Sequence, residues 1–289
     1  MKRILLPTDF SVADENAFRH AFNLFGLEQC EYVLMHAFGD PLISDETYDW
    51  LTCRKMVQQA EEALKKLEAR LQPLLSSEHH YVRRLSLAAS PVAAINHLVQ
   101  LEHFDWVVLG APGRGESIRM GSVATELIQA NHCNMLVVPA YSEPGPLSEV
   151  VFATEYAPIQ SLDTLQPLRD LVERHQARLT LLTITTDKQP ASVKNEEQTL
   201  IQHYFEGVNQ QIVTEHYNDV LTGIVEFVDA HPIDLLVTIS HHRSIWDALF
   251  NRSLTRKLAY RPLVPLAVLA DQTARKHKPM RLKADDIIF

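Results

Sequence analysis

Four of the nine glycines in this chain, Gly110, Gly113, Gly115 and Gly121, fall within twelve residues. The segment reads WVVLG-APGRGESIRM-GSVATELI: an apolar run, a glycine-rich stretch, then a helix-like pattern. That order suits phosphate binding. Glycine lets backbone N–H groups come close to phosphate oxygens, and the start of the next helix adds free donors and partial positive charge. Ser122 adds a hydroxyl. The plainer alternative is a strand-to-helix turn with ordinary turn glycines, and the clustering and placement favour the phosphate reading. Arg114 and Arg119 either neutralise phosphate or are solvated loop residues. Two other glycine motifs fail. In the P-loop frame Glu116 takes the lysine position, where a carboxylate repels phosphate. No G-x-G-x-x-G follows the first strand, which argues against dinucleotide binding.

Other chemistry-bearing residues give less. The 14 histidines include His79-His80 and His241-His242, but neighbours on a strand point to opposite faces and chelate poorly. No HExxH and no Cys-His metal spacing occurs, so no metal site is expected. No G-x-S-x-G elbow is present. No nucleophile and general base stand in a recognisable pattern, so an enzyme is not expected, with slow incidental ATP hydrolysis left open.

The elements that must position the glycine stretch come from a repeat. Ile4–Ser11 reads ILLPTDFS and Val150–Ala157 reads VVFATEYA, each an apolar run ending in Thr, an acid and an aromatic. Asp105–Leu109 matches Asp234–Thr238, and Ser122-Val123 matches Ser253-Leu254. The offset drifts from 146 to about 130, which places an extra 15–17 residues of the first copy within Gly39–His80. Two copies are too few for a solenoid, so a whole domain is duplicated. Each copy alternates strands with helices, implying parallel strands and right-handed crossovers. The expected strands are Arg3–Pro7, Tyr32–Ala37, Tyr81–Leu87, Trp106–Gly110 and Asn134–Val138, then Val150–Thr154, Arg178–Ile184, Gln211–Tyr217, Ile233–Ile239 and Leu263–Leu269. Helices are expected near Val12–Leu27, Lys55–Leu75, from Ser90-Pro91, from Gly121-Ser122, and then near Ile159–His175, Ser192–Gly207, Asp219–Ala230 and Leu254–Tyr260. Ser11 and Asp14 read as a capping box for the first. The division is residues 1–141, a linker about Glu143–Leu147, residues 149–270, and a polar basic tail, 271–289.

Composition agrees. The chain has 289 residues, 46% hydrophobic and 22% charged, with a net charge of −9. That is globular and disfavours a dedicated nucleic-acid partner. Cys30, Cys53 and Cys133 form no close pair, which fits a reducing compartment. The opening apolar run is too short for a signal peptide, and no membrane-length apolar stretch occurs. A cytoplasmic location is expected.

Strand-PTDFS, His36-Ala37 ending the second strand, and a late glycine loop closing with Gly-Ser together resemble the universal stress protein family, in its tandem form. The resemblance implies an α/β fold of two tandem domains, each a five-stranded parallel sheet with flavodoxin-like winding and helices on both faces. It implies association through the final strands as an intrachain pseudo-dimer, with a homodimer left open. Nucleotide-binding members use G-x2-G-x9-G-[ST] for ATP. Carried over, Pro7, Thr8 and Asp9 line the ribose or adenine side, and Ala37 supplies a backbone contact. Gly110, Gly113, Gly121 and Ser122 form the phosphate loop. Here seven residues rather than nine separate Gly113 from Gly121, which leaves less room for a triphosphate. The second copy keeps the spacing but has Ile239, His242 and Arg252 for the glycines and Glu155 for the aspartate, and reads as degenerate. The implied function is a stress-response protein binding an adenine nucleotide, ATP or an analogue, in its first domain, regulatory rather than catalytic, with an unidentified protein partner. The alternative is a nucleotide-independent interaction protein with a vestigial loop.

Overall fold

The computed structural model describes residues 1–39, 50–75, 79–111, 122–156, 159, 161–187, 195–240 and 264–270. The first half runs β1 (Lys2–Pro7), α1 (Val12–Phe25), β2 (Cys30–Phe38), α2 (Trp50–Leu71), β3 (His80–Ala88), α3 (Pro91–Leu101), β4 (Trp106–Ala111), α4 (Ser122–Ala130) and β5 (Asn134–Pro139). The second runs β6 (Glu149–Ala153), α5 (Gln166–His175), β7 (Arg178–Thr185), α6 (Asn195–Tyr204), β8 (Gln210–His216), α7 (Val220–Ala230), β9 (Leu235–Ile239) and β10 (Leu266–Leu269). All ten expected strands are present. The helix expected over Leu254–Tyr260 and the basic tail lie outside the described residues.

The strands form one sheet in the order β3-β2-β1-β4-β5-β10-β9-β6-β7-β8. Pairing is parallel within each half. At the seam β5 meets β10 antiparallel, with Val137 opposite Leu266 and Leu136 opposite Ala267. The halves therefore join through their final strands, as a pseudo-dimer within one chain. The parallel α/β class is as expected. Within a half the order is 3-2-1-4-5, whereas flavodoxin has 2-1-3-4-5. The third strand here goes outside β2, and the winding reverses between β1 and β4. A crevice opens at such a reversal, beyond the carboxyl ends of the strands.

Apolar runs explain the central strands, which are buried on both faces. Ile4, Leu5, Leu6 and Val108 have no exposed surface. On one face α1 and α2 lay Phe18, Phe25, Leu64 and Leu67 against Ile4, Leu6 and Trp106, and α5 and α6 continue the same core with Leu168, Leu171 and Phe205. On the other face α3 and α4 pack Ile95, Leu98, Leu127 and Ile128, joined by Ile224 and Phe227 of α7. Each core crosses the seam, so cutting a large side chain such as Phe25 to alanine costs about 3–5 kcal/mol.

The sheet register locates the length difference between the copies. Leu6 pairs with Leu34 and Phe152 with Leu181, an offset of 147 between β2 and β7. Leu34 pairs with Arg84 and Leu181 with Ile212, an offset of 128 between β3 and β8. The first half thus carries 19 extra residues in that connection, somewhat more than 15–17. Part of it is helix: α2 has 22 residues and α6 has 10. The connection after β5 is held to α1. Asn16 Nδ2 donates to the carbonyls of Pro139 and Ser142, and Asn23 donates to that of Gly145. His20 Nε2 lies 3.3 Å from the Ser142 carbonyl.

Candidate functional site

The β1–β4 reversal carries the sequence PTDFS at one strand end and Gly110 at the other. Thr8 continues β1, its N–H donating to the Met35 carbonyl at 2.8 Å. Its hydroxyl then accepts the N–H of Phe10 at 2.8 Å, bending the chain. Phe10 adopts a left-handed φ of 67°. That turn leaves Asp9 exposed at the crevice while Pro7 and Thr8 are buried beneath it. Asp9 Oδ1 accepts the Ser11 N–H at 2.8 Å.

Ser11 caps α1, its hydroxyl accepting the Asp14 N–H at 3.3 Å. The expected capping box forms only by this half. A box needs the Asp14 carboxylate to reach the Ser11 N–H, but Asp9 already holds that donor. Asp14 turns inward instead. Its Oδ2 accepts the Asp9 N–H at 2.8 Å and its Oδ1 the Gly110 N–H at 3.3 Å. One buried carboxyl therefore bridges the ends of β1 and β4. Burial above all, then the adjacent Asp9 carboxylate, pushes Asp14 up to about 7, against the pull of the two N–H donors. For Asp9, burial works upward, but the hydrogen bonds from Ser11 and Asp14 prevail and hold it below the usual carboxylate range.

Gly110 has a packing reason to be glycine. A Cβ there would lie 2.4 Å from the Ala13 carbonyl carbon and 2.6 Å from the Asp14 nitrogen. Real side chains do not approach backbone so closely, so the bare Gly110 is what lets the start of α1 rest on the end of β4. Its N–H is committed to Asp14 rather than pointing free. Ala37 sits near the end of β2, paired with Leu87 of β3. Beside it His36 Nδ1 donates to the Thr8 carbonyl at 2.7 Å, and the His36 ring lies 4.6 Å from that of Phe10. The structure thus brings Pro7, Thr8, Asp9 and Gly110 together. Gly113 and Gly121, with Gly115, lie outside the described residues. Ser122 begins α4. The inward role of Asp14 and the Phe10–His36 pair were missed in the sequence. A second carboxylate five residues after Asp9 was the available signal.

The second half repeats the turn, with isoleucine in place of the glycine. The Thr154 N–H donates to the Leu182 carbonyl, and its hydroxyl accepts the Tyr156 N–H at 3.1 Å. Tyr156 takes a left-handed φ of 50°. Val150 pairs with Leu235 as Ile4 pairs with Trp106, so Ile239 stands where Gly110 does. Ile239 is fully buried. His242, Arg252 and Ser253 lie outside the described residues. Among the described residues, no three His, Cys, Asp or Glu side chains converge as a metal-ligand set. Also among them, no helix is long and apolar enough to cross a membrane.

These features define a tandem parallel α/β protein with a topological switch point in each half, between β1 and β4 and between β6 and β9. Residues 1–139 match the universal stress protein family model. Over most of its length the chain is similar to a universal stress protein from Archaeoglobus fulgidus DSM 4304. That match is 15% identical, covers 93% of this chain and 98% of the other, and has a TM-score of 0.69. A putative universal stress protein from Pseudomonas aeruginosa UCBPP-PA14 is 13% identical, with 95% of each chain covered and a TM-score of 0.58. At these identities the likeness is one of fold. A universal stress protein solved in complex with cAMP is 15% identical over 50% of this chain and 98% of its own, but its TM-score of 0.35 places no ligand here. No curated protein sequence matches the chain. The universal stress protein family model thus accounts for the first half of the chain.

Proposed function

We propose that the protein binds an adenine nucleotide, ATP or an analogue, in the crevice between β1 and β4, as a regulatory rather than catalytic component of a cytoplasmic stress response. One observation carries the reading. The strand order reverses between β1 and β4, and Thr8, Asp9 and the glycine stretch opening at Gly110 meet there. Pro7, Thr8, Asp9 and Ala37 then line the nucleoside end, and Gly113, Gly121 and Ser122 hold phosphate. Residues 1–141 and 149–270 act as two domains, the second structural. A second reading, an interaction protein that needs no nucleotide, draws on the Asp9 and Gly110 N–H groups already being satisfied by Asp14. Mass spectrometry of small molecules released by denaturing the purified protein separates the two. Recovery of an adenine nucleotide supports the first. None recovered, together with no binding of added ATP, overturns it.

A further inference from the structure

The ten-stranded sheet ends on β3 at one side and β8 at the other, and the two edges are built differently. The β8 ladder runs from the Leu179 N–H on the Asn209 carbonyl to the Tyr217 N–H on the Thr185 carbonyl. In a parallel ladder, alternate residues of a strand bond to a given neighbour. Gln211, Val213 and Glu215 therefore turn their backbone groups to β7, and Gln210, Ile212, Thr214 and His216 turn theirs outward. Among the described residues, nothing bonds to those outward groups.

A bare strand edge is a template for another chain, and proteins blunt it with charge, proline, a bulge or a covering element. The β3 edge is blunted. Arg83 lies 3.4 Å from Glu31, and Arg84 lies 2.9 Å from Glu68 of α2, a helix of 22 residues. Over Gln210–Thr214, β8 has no charge and no proline, and it pairs residue for residue with β7. Its neighbour α6, whose Gln202 carbonyl accepts from Gln210, has 10 residues. Ile212 at mid-strand is 47% exposed. We propose that β8 is a dimer edge, pairing antiparallel with β8 of a second copy of this chain about a two-fold axis at Val213.

Register and charge select that occupant. Across an antiparallel pair, outward backbone groups must face outward groups. Centring on Val213 uses all of them: Gln210 faces His216, and Ile212 faces Thr214. On the alternate positions Gln211 faces Glu215, and Val213 faces its own copy. The ionisable residues of the strand, Glu215 and His216, then each face a glutamine. His216 already has Asp187 of its own chain at 3.1 Å. No like charges meet, and the branched side chains of Ile212, Val213 and Thr214 occupy the centre. The same operation on β3 centres on Arg84 and sets two Arg84 side chains against each other, which is unfavourable. Joining β3 of one copy to β8 of the next would not close and would build a filament, whereas the β8 pair closes as a dimer.

The test is sedimentation velocity of the full chain over a series from micromolar to millimolar concentration. The expected result is a doubling of mass as concentration rises. Thr214→Pro should abolish it. The Thr214 N–H faces away from β7, and proline is tolerated at such edge positions, so the fold should hold. Ile212→Lys should weaken the dimer about tenfold, because two cross-strand pairs are lost. Ser86→Pro, at an outward position of β3, should leave it unchanged. A chain that stays monomeric, a dimer indifferent to both β8 variants, or a dimer lost in Ser86→Pro overturns the proposal. Hydrogen exchange on the native protein keeps the question open to refutation if Thr214→Pro does not fold. The Ile212 and Thr214 amides should exchange slowly when concentrated and quickly when dilute, while the Val213 amide, bonded to β7, stays protected in both. Slow exchange of Ile212 and Thr214 at every concentration would put another part of the same chain on the edge, and fast exchange at every concentration would leave it bare; either overturns the dimer.

Discussion

At the carboxyl end of β4 the chain has Gly110, and at the matching end of β9 it has Ile239. The strands on which they stand share one register with their neighbours β1 and β6. The helices that follow β1 and β6 differ. α1 begins at Val12 against Gly110, with Ser11 as its cap. In the second half a 3-10 turn covers Leu162–Leu165, and α5 begins only at Gln166. The glycine at the strand end lets α1 start close enough for Asp14 to accept the Gly110 N–H. Isoleucine fills that space with its own side chain, and the regular helix starts eight residues later in the repeat. The same fold thus ends the matching strand in a bare glycine in one half and in a buried isoleucine in the other.

Transplanting the second half's residue into the first is the harshest way to break this comparison. Gly110→Ile should lose about 3 kcal/mol or more of stability by urea denaturation, because its Cβ meets backbone rather than a side chain that can yield. An unchanged midpoint would show that α1 does not depend on the bare strand end.

Next in size is the glycine stretch. Gly113→Val should abolish nucleotide binding, since backbone contact with phosphate needs close approach. Asp9→Ala should weaken binding only ten- to a hundredfold, for a hydrogen bond to a charged group is worth roughly 1.5–3 kcal/mol. Titration calorimetry on both variants ranks them, and normal ATP binding by Gly113→Val would remove the loop from the site.

The acid pair sharpens the comparison through pH. Asp14 titrates near 7 in the folded chain and near 3.9 when unfolded, so the folded state holds the proton more tightly. Its stabilising effect is present below about pH 4 and is lost as pH rises through 7. Relative to Asp14→Asn, the native protein should therefore lose on the order of 2–4 kcal/mol between pH 4 and 8. Parallel stability profiles for the two proteins would refute that.

The smallest expected effect concerns loop length. Two residues inserted after Glu116 should improve ATP relative to AMP, with little change in melting because closure entropy grows only logarithmically. Equal affinities before and after, in a folded variant, would clear the short loop of blame.

Much of this architecture was legible because apolar runs and helical periodicity carry it. The repeat of Thr8-Asp9-Phe10 in Thr154-Glu155-Tyr156 was legible as a repeat, and the structure adds that both copies form the same hydroxyl-bent turn with a left-handed aromatic. The site was only partly legible. Gly110 stood out as a glycine, yet its contact with Ala13 joins residues 97 positions apart and no local pattern shows it. Asp14 fitted a capping rule, and only the tertiary approach of Gly110 and the prior claim of Asp9 on the Ser11 N–H turned it inward.

The asymmetry between the halves is tested most directly by counting sites. Titration calorimetry of ATP into the full chain should give one site per chain, lost in Gly113→Val and kept when Ile239 is changed to valine. Two equivalent sites, or one that survives Gly113→Val, would contradict it.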